Sequence, residues 1–220
     1  MSGSGLTTRW IGRENVRKRF ERLEGTPGRT VYAAGRVELE SEAENAVVRP
    51  PFGLVLEAEY DRVRLSPLLE AIAEDHVVAV LLVRLGGYAA GVFEGERLVA
   101  SKVGSRFVKN RHKKGGSSAN RFRRRREEQA ADLVREAAEV AVRVLEPWRE
   151  RAAFAALGGD RSAVDAVLAE RPELAWLRDR ALPRFFTVPE PRQRVLEAFP
   201  YDLYAVEVVS QDGPEDLAQG

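Results

Sequence analysis

Apolar positions along the chain recur in patterns that predict most of its elements. Val16, Phe20 and Leu23 stand at i, i+4 and i+7, so residues 13–23 read as a short amphipathic helix. Gly25, Pro27 and Gly28 end it. Short strands are predicted at 31–34 and 37–40. Pro50-Pro51 then breaks the chain, residues 54–60 have strand composition, and Pro67 suits the first turn of a helix over 68–74. Residues 77–83 are continuously apolar and mostly β-branched, the composition of a central strand covered on both faces. Gly86-Gly87 is a two-residue hairpin signal. Strand 88–93, a turn at Gly95-Glu96 and strand 98–103 complete a three-stranded meander.

Residues 104–119 have no hydrophobic period and hold Gly115-Gly116, which reads as a loop. From 120 to 146, Phe122, Ala130, Leu133, Val134, Ala137, Val140, Ala141, Val144 and Leu145 trace one stripe at helical spacing, and Pro147 ends it. Further helices are predicted at 148–157, closed by Gly158-Gly159, and at 162–170, 173–178 and 191–199. A last strand is predicted at 201–209. Residues 1–12 are expected to form a flexible N-terminus and 210–220 a disordered acidic tail. Between them, 13–209 reads as one α/β domain, with a mixed sheet, a long helix after the basic loop, and other helices packed on the sheet.

Composition narrows the chemistry. The chain of 220 residues has no cysteine, which excludes a disulfide framework, a thiolate metal site and a cysteine nucleophile. His76 and His112 are the only imidazoles, so a three-histidine zinc site is impossible. No apolar run approaches the ~20 residues needed to span a bilayer, and residues 1–8 lack the apolar core of a secretory signal. The expectation is a cytoplasmic protein with no membrane partner and no small-molecule cofactor.

Net charge is +1, but its distribution is lopsided. Lys102, Arg106, Lys109, Arg111, Lys113, Lys114, Arg121, Arg123, Arg124, Arg125 and Arg126 are 11 bases in a stretch with no acid, and the rest of the chain is at −10. A single-sign block on an acidic body implies a polyanionic partner, nucleic acid first and anionic membrane second. The stretch has a second peculiarity. Cations at a helix start oppose the helix dipole at ~0.3–1 kcal/mol each, so a helix selected for stability alone would open with Asp or Glu. An anion docked at that end removes the conflict, because free backbone N–H groups there add to the attraction. The glycines admit close backbone approach to another molecule. Lys109, Arg111, His112, Lys113, Lys114, Arg121 and Arg123 to Arg126 are therefore candidate RNA contacts.

Strand, glycine hairpin, strand, basic loop, Gly115-Gly116, Ser118-Ala119, Arg121-Phe122 and a long helix follow one another in an order that resembles the middle, catalytic domain of archaeal and eukaryotic class-one peptide-chain release factors. The chain resembles the bacterial Vms-type release-factor-like peptidyl-tRNA hydrolases more closely. Residues 81–102, 121–129, 158–169 and 183–189 carry that likeness, which runs from about residue 79 onward. The resemblance implies an RNase H-like α/β domain that releases nascent chains from tRNA on stalled large ribosomal subunits. It implies that the basic loop follows the tRNA acceptor end into the peptidyl-transferase centre. There the Gly-Gly backbone packs on the terminal adenosine and a Gln places water against the ester carbonyl, which makes Gly115, Gly116, Ser117, Ser118 and Asn120 the candidate catalytic group here. Positioning and the RNA supply most of the barrier reduction in that scheme.

The sequence departs from this pattern at one point. Ser117 stands where release factors have the Gln, and Ser118 stands where eukaryotic Vms-type proteins have it. Three readings follow: backbone N–H groups and a serine hydroxyl position the water, Asn120 substitutes for the Gln, or the protein binds without hydrolysing. A metal-dependent nuclease is a further rival, with only Glu94 and Glu96 on offer in the meander. His76 reads as structural, the tryptophans Trp10, Trp148 and Trp176 as core rather than base-stacking platforms, and Gly86-Gly87 and Gly158-Gly159 as turns.

Overall fold

The computed structural model describes residues 6–84, 86–105 and 118–211. In chain order the elements are β1 (Leu6–Ile11), α1 (Arg13–Glu21), β2 (Gly28–Ala33), β3 (Arg36–Ser41), β4 (Asn45–Arg49), β5 (Ala58–Tyr60), α2 (Ser66–Ala73), β6 (Val77–Arg84), β7 (Gly87–Glu94) and β8 (Arg97–Ser105). Then come α3 (Ser118–Leu145), β9 (Phe154–Gly159), α4 (Arg161–Glu170), α5 (Trp176–Asp179), α6 (Gln193–Leu203) and β10 (Val206–Gln211). The class is α/β, with the long helix after the Gly-Gly stretch as predicted. No helix among the described residues is long and apolar enough to cross a membrane.

Two compact units share the chain: residues 1–74 with 201–220, and residues 75–200. The first carries a six-stranded antiparallel sheet in the order β1-β10-β4-β3-β2-β5. Val16 and Phe20 of α1, Leu68 and Ile72 of α2, and inward positions of the strands such as Tyr32, Val37, Val48 and Val206 form its core. Tyr32 is held by a hydrogen bond from its hydroxyl to the Arg64 carbonyl, 2.6 Å, and burial pushes its pKa up.

The second unit carries the mixed sheet β8-β7-β6-β9. β6 pairs antiparallel with β7 and parallel with β9, and Val78 to Val83 are fully buried, as expected of a strand covered on both faces. One face receives α3 and α4 through Leu133, Ala137, Ala141, Val164 and Val167. On the other, Leu196 of α6 seats against Gly91, where an added Cβ would lie 2.9 Å from a Leu196 methyl.

The structure corrects several expectations. Residues 148–157 are not a helix. A 3₁₀ turn at Glu146–Trp148 leads into β9, and Gly158-Gly159 close that strand rather than a helix. The alanine-rich run favours a helix by local propensity. The ladder to β6 is non-local and leaves no periodic mark, and it overrides that preference. A Cβ at Gly158 would lie 2.6 Å from the Phe186 carbonyl oxygen, and one at Gly159 still nearer that of Val83, so both glycines serve close packing. The flexible N-terminus is also corrected from Leu6 onward, residues 1–5 lying outside the described residues: β1 pairs along its length with β10, from Leu6↔Gln211 to Ile11↔Val206. β4 went unpredicted. Of 54–60 only Ala58–Tyr60 is a strand, with Val55 fully exposed. Residues 201–203 belong to α6 rather than to the last strand, and the tail beyond Gln211 lies outside the described residues.

Candidate nucleic-acid interface

The basic stretch is bracketed by β8, which ends at Ser105, and α3, which starts at Ser118. One buried side chain ties the two arms of the bracket together. Gly104 pairs with Tyr88 across the β7–β8 ladder. A Cβ on Gly104 would overlap the Tyr88 ring, at 2.3 Å, so only glycine lets the ring lie over this strand. The Tyr88 hydroxyl then donates to Oε1 of Glu136 on α3, 3.0 Å away, with Tyr88 only 2% exposed. The end of β8 and the body of α3 are thereby held in one arrangement.

The helix changes character along its length. From Leu133 onward it is bound to the sheet, with Leu133, Ala137, Ala138, Val140, Ala141 and Leu145 buried. No described side chain before Leu133 is buried. The preceding 15 residues, Ser118 to Asp132, form an arm ~22 Å long at 1.5 Å per residue. Its first turn contains no acid, and Arg124 and Arg125 are exposed. Ser118, Asn120, Arg121, Arg123 and Arg126 also belong to the arm, and Ser118 is its first helical residue. Lys109, Arg111, His112, Lys113, Lys114, Gly115, Gly116 and Ser117 lie outside the described residues. The arm thus brings five predicted arginines and two of the predicted reactive residues onto one helix start.

The rival candidates are placed elsewhere. Glu94 lies at the end of the sheet opposite Ser105, paired with Val77 at the start of β6. Hydrogen bonds from Arg151, 2.6 Å, and Arg97 hold its carboxyl below the usual carboxylate range. Among the described residues no three metal-ligating side chains cluster. The His76 ring meets the Phe154 ring edge-on at 5.0 Å. Trp176 is buried and donates from Nε1 to Glu146, 3.0 Å. Trp148 is half-buried under the Arg151 guanidinium. Trp10 is 43% exposed, which corrects the core placement expected for it. Tyr88, Gly104 and Glu136 are not singled out by the sequence pattern. The glycine beside the first bases of the stretch is the one signal of them.

No curated protein matches the chain in sequence. Among solved structures, the archaeal translation termination factor aRF1 is similar at 14% identity, over 88% of this chain and 73% of that one, with a TM-score of 0.43. A second, described only as an archaeal protein, is similar at 14% identity over 89% and 74%, with a TM-score of 0.38. The family described as the Actinobacteria/chloroflexi VLRF1 release factor matches residues 76–209. That span is about three-fifths of the sequence and takes in the meander, the basic stretch, the long helix and β9, so this chain belongs to the VLRF1 release factor family.

Proposed function

We propose that the protein hydrolyses the ester of peptidyl-tRNA on stalled ribosomes or large ribosomal subunits. The observation that carries this reading is that the release-factor match contains the stretch from Gly115 to Arg126, whose helical part opens α3 with five arginines and no acid, Arg124 and Arg125 being exposed. In this reading the arm and basic stretch follow the acceptor end of the tRNA. The Gly115-Gly116 backbone approaches the terminal adenosine. Water attacks the ester carbonyl carbon, freeing the peptide as its carboxylic acid and leaving the tRNA ribose hydroxyl. Backbone N–H groups with a hydroxyl of Ser117 or Ser118, or the Asn120 amide, orient the water. Ser118 is favoured because it stands at the helix start, where the dipole stabilises developing negative charge. The protein works in the cytoplasm on the large subunit and its RNA, without a cofactor.

A second reading, a rescue factor that binds without hydrolysing, is favoured by one observation: no Gln lies between Gly115 and Arg126. Release of peptide from peptidyl-tRNA on isolated large subunits separates the two. Hydrolysis predicts release by the wild type and none by Gly116→Ala, whose unfolding free energy should stay within about 0.5–1 kcal/mol of the wild type. No release by the wild type assigns the binding role.

A further inference from the structure

The strands of the second unit share one end. β8 and β6 each run antiparallel to β7, and β9 runs parallel to β6, so these three strands finish on the same rim. The register fixes the order along it: Ser105 beside Gly87, Gly87 beside Arg84, and Val83 beside Gly159. Beyond β9 the chain at Phe186 adds in parallel, through the Gly158↔Phe186 bridge and a hydrogen bond from the Gly159 amide to the Phe186 carbonyl, 2.8 Å. At ~4.8 Å per strand, Ser105, where β8 ends, lies ~10 Å from Arg84. The rim of a sheet beyond the carboxyl ends of its strands is where open α/β folds bind ligands.

This rim is cationic in an unusual way for the molecule. Most described arginines of the acidic body are matched to carboxylates: Arg29 to Glu59, Arg36 to Glu38, Arg49 to Glu207, Arg151 to Glu94 and Arg178 to Asp165. Arg161, the first residue of α4, has no carboxylate partner among the described residues. Its guanidinium lies over the Phe185 ring at 4.2 Å and is exposed. The exposed side chain of Arg84 donates one N–H to the Val188 carbonyl at 2.7 Å, which orients it and leaves its other donors available. Two acids lie nearby, and the Asp160 carboxyl also feels the charge of Arg84. Asp160 accepts from the Ser162 hydroxyl and from the Ser162 and Ala163 amides, and Glu190 pairs with Arg192 at 2.6 Å. Stacked or tethered guanidiniums are planar donors set in place before a ligand arrives, a state suited to phosphate.

We propose that Arg84 and Arg161 form a second phosphate-binding surface, which grips the backbone of the tRNA whose acceptor end the basic stretch reaches. The proposal rests on the function proposed above for its choice of RNA, and its test reads binding rather than hydrolysis. Labelled deacylated tRNA is titrated with the full chain, its Arg84→Gln/Arg161→Gln double variant, Arg161→Lys, and Arg178→Gln as a control at a paired site. All variants are checked for an unchanged thermal midpoint. The double variant is expected to weaken tRNA binding at least fivefold and to lower the salt slope by about 1.4–1.8, the equivalent of two neutralised phosphates. Arg161→Lys, which keeps charge but removes the planar stack, should fall between, and Arg178→Gln should match the wild type. Unchanged affinity and slope in the double variant overturn the proposal, as does a wild type that does not bind tRNA. Loss of binding to phosphatidylglycerol vesicles with tRNA binding intact overturns it in favour of a lipid surface. Weakened tRNA binding by a protein that releases no peptide upholds the rim and removes the hydrolase reading alone.

Discussion

The two halves of α3 are built for opposite purposes. From Leu133 to Leu145 the helix is an element of the core, with small and branched side chains seated on β6, β7 and α4. From Ser118 to Asp132 it carries five arginines and buries no described side chain. A helix held at one end by packing needs nothing from the other end to remain folded. The other half can therefore open with an arginine in its first turn, a charge that the helix dipole opposes. Position and chemistry are thus separated along this helix: the packed half aims, and the basic half meets the partner.

Substitutions in each half should separate the two roles, and they rank by effect on unfolding free energy. Leu145→Ala, at a fully buried site in the packed half, should cost about 2–5 kcal/mol in urea unfolding. A cost below about 1 kcal/mol would mean the helix is not anchored there. Next comes the tie between β8 and the packed half. Gly104→Ala drives a methyl into the Tyr88 ring and should cost about 1–3 kcal/mol. Amide exchange should then rise around Glu136, and exchange equal to wild type would remove Tyr88 from its role as clamp.

A smaller effect is expected at the α4 cap. Asp160→Ala should cost ~1 kcal/mol at neutral pH. The Asp160 carboxyl titrates below its ordinary value because it accepts from the Ser162 hydroxyl first and from the Ala163 amide second. Its contribution is therefore complete above the unfolded-state value of 3.8 and is lost as pH falls through the lower folded value. The gap between Asp160→Ala and wild type should close below that point, as followed by urea unfolding from about pH 7 to about pH 2.

The smallest stability change belongs to the basic half. Neutralising Arg124 and Arg125 to Gln should move unfolding by no more than about 0.5 kcal/mol, since both side chains are exposed and lie beyond the first turn of the helix. The same variant should lower the salt slope of binding to large ribosomal subunits by about 0.7–0.9 for each phosphate it no longer neutralises. A destabilised variant with an unchanged slope would reverse the roles assigned to the two halves.

Much of this arrangement is legible in the chain itself, because its signals are local. The run from Val77 to Val83 has the all-apolar character of a strand buried on both faces, and it is one. The stripe through Leu133, Ala137 and Ala141 has helical spacing, and those residues face the sheet. The block of bases around Gly115-Gly116 needs no fold to be seen, since an uncompensated charge is a property of composition. What tertiary structure alone decided is whatever depends on a distant partner. β9 is a strand because β6 offers it a parallel ladder, and β1 is ordered because β10 lies alongside it. Tyr88, Gly104 and Glu136 carry no signal as a group in sequence and meet only once β7, β8 and α3 are assembled. Likewise Arg84 and Arg161 lie far apart along the chain, and only the parallel pairing of β6 with β9 sets them on one rim. Periodicity and charge act between near neighbours in sequence, whereas strand pairing and side-chain contact act between neighbours in space.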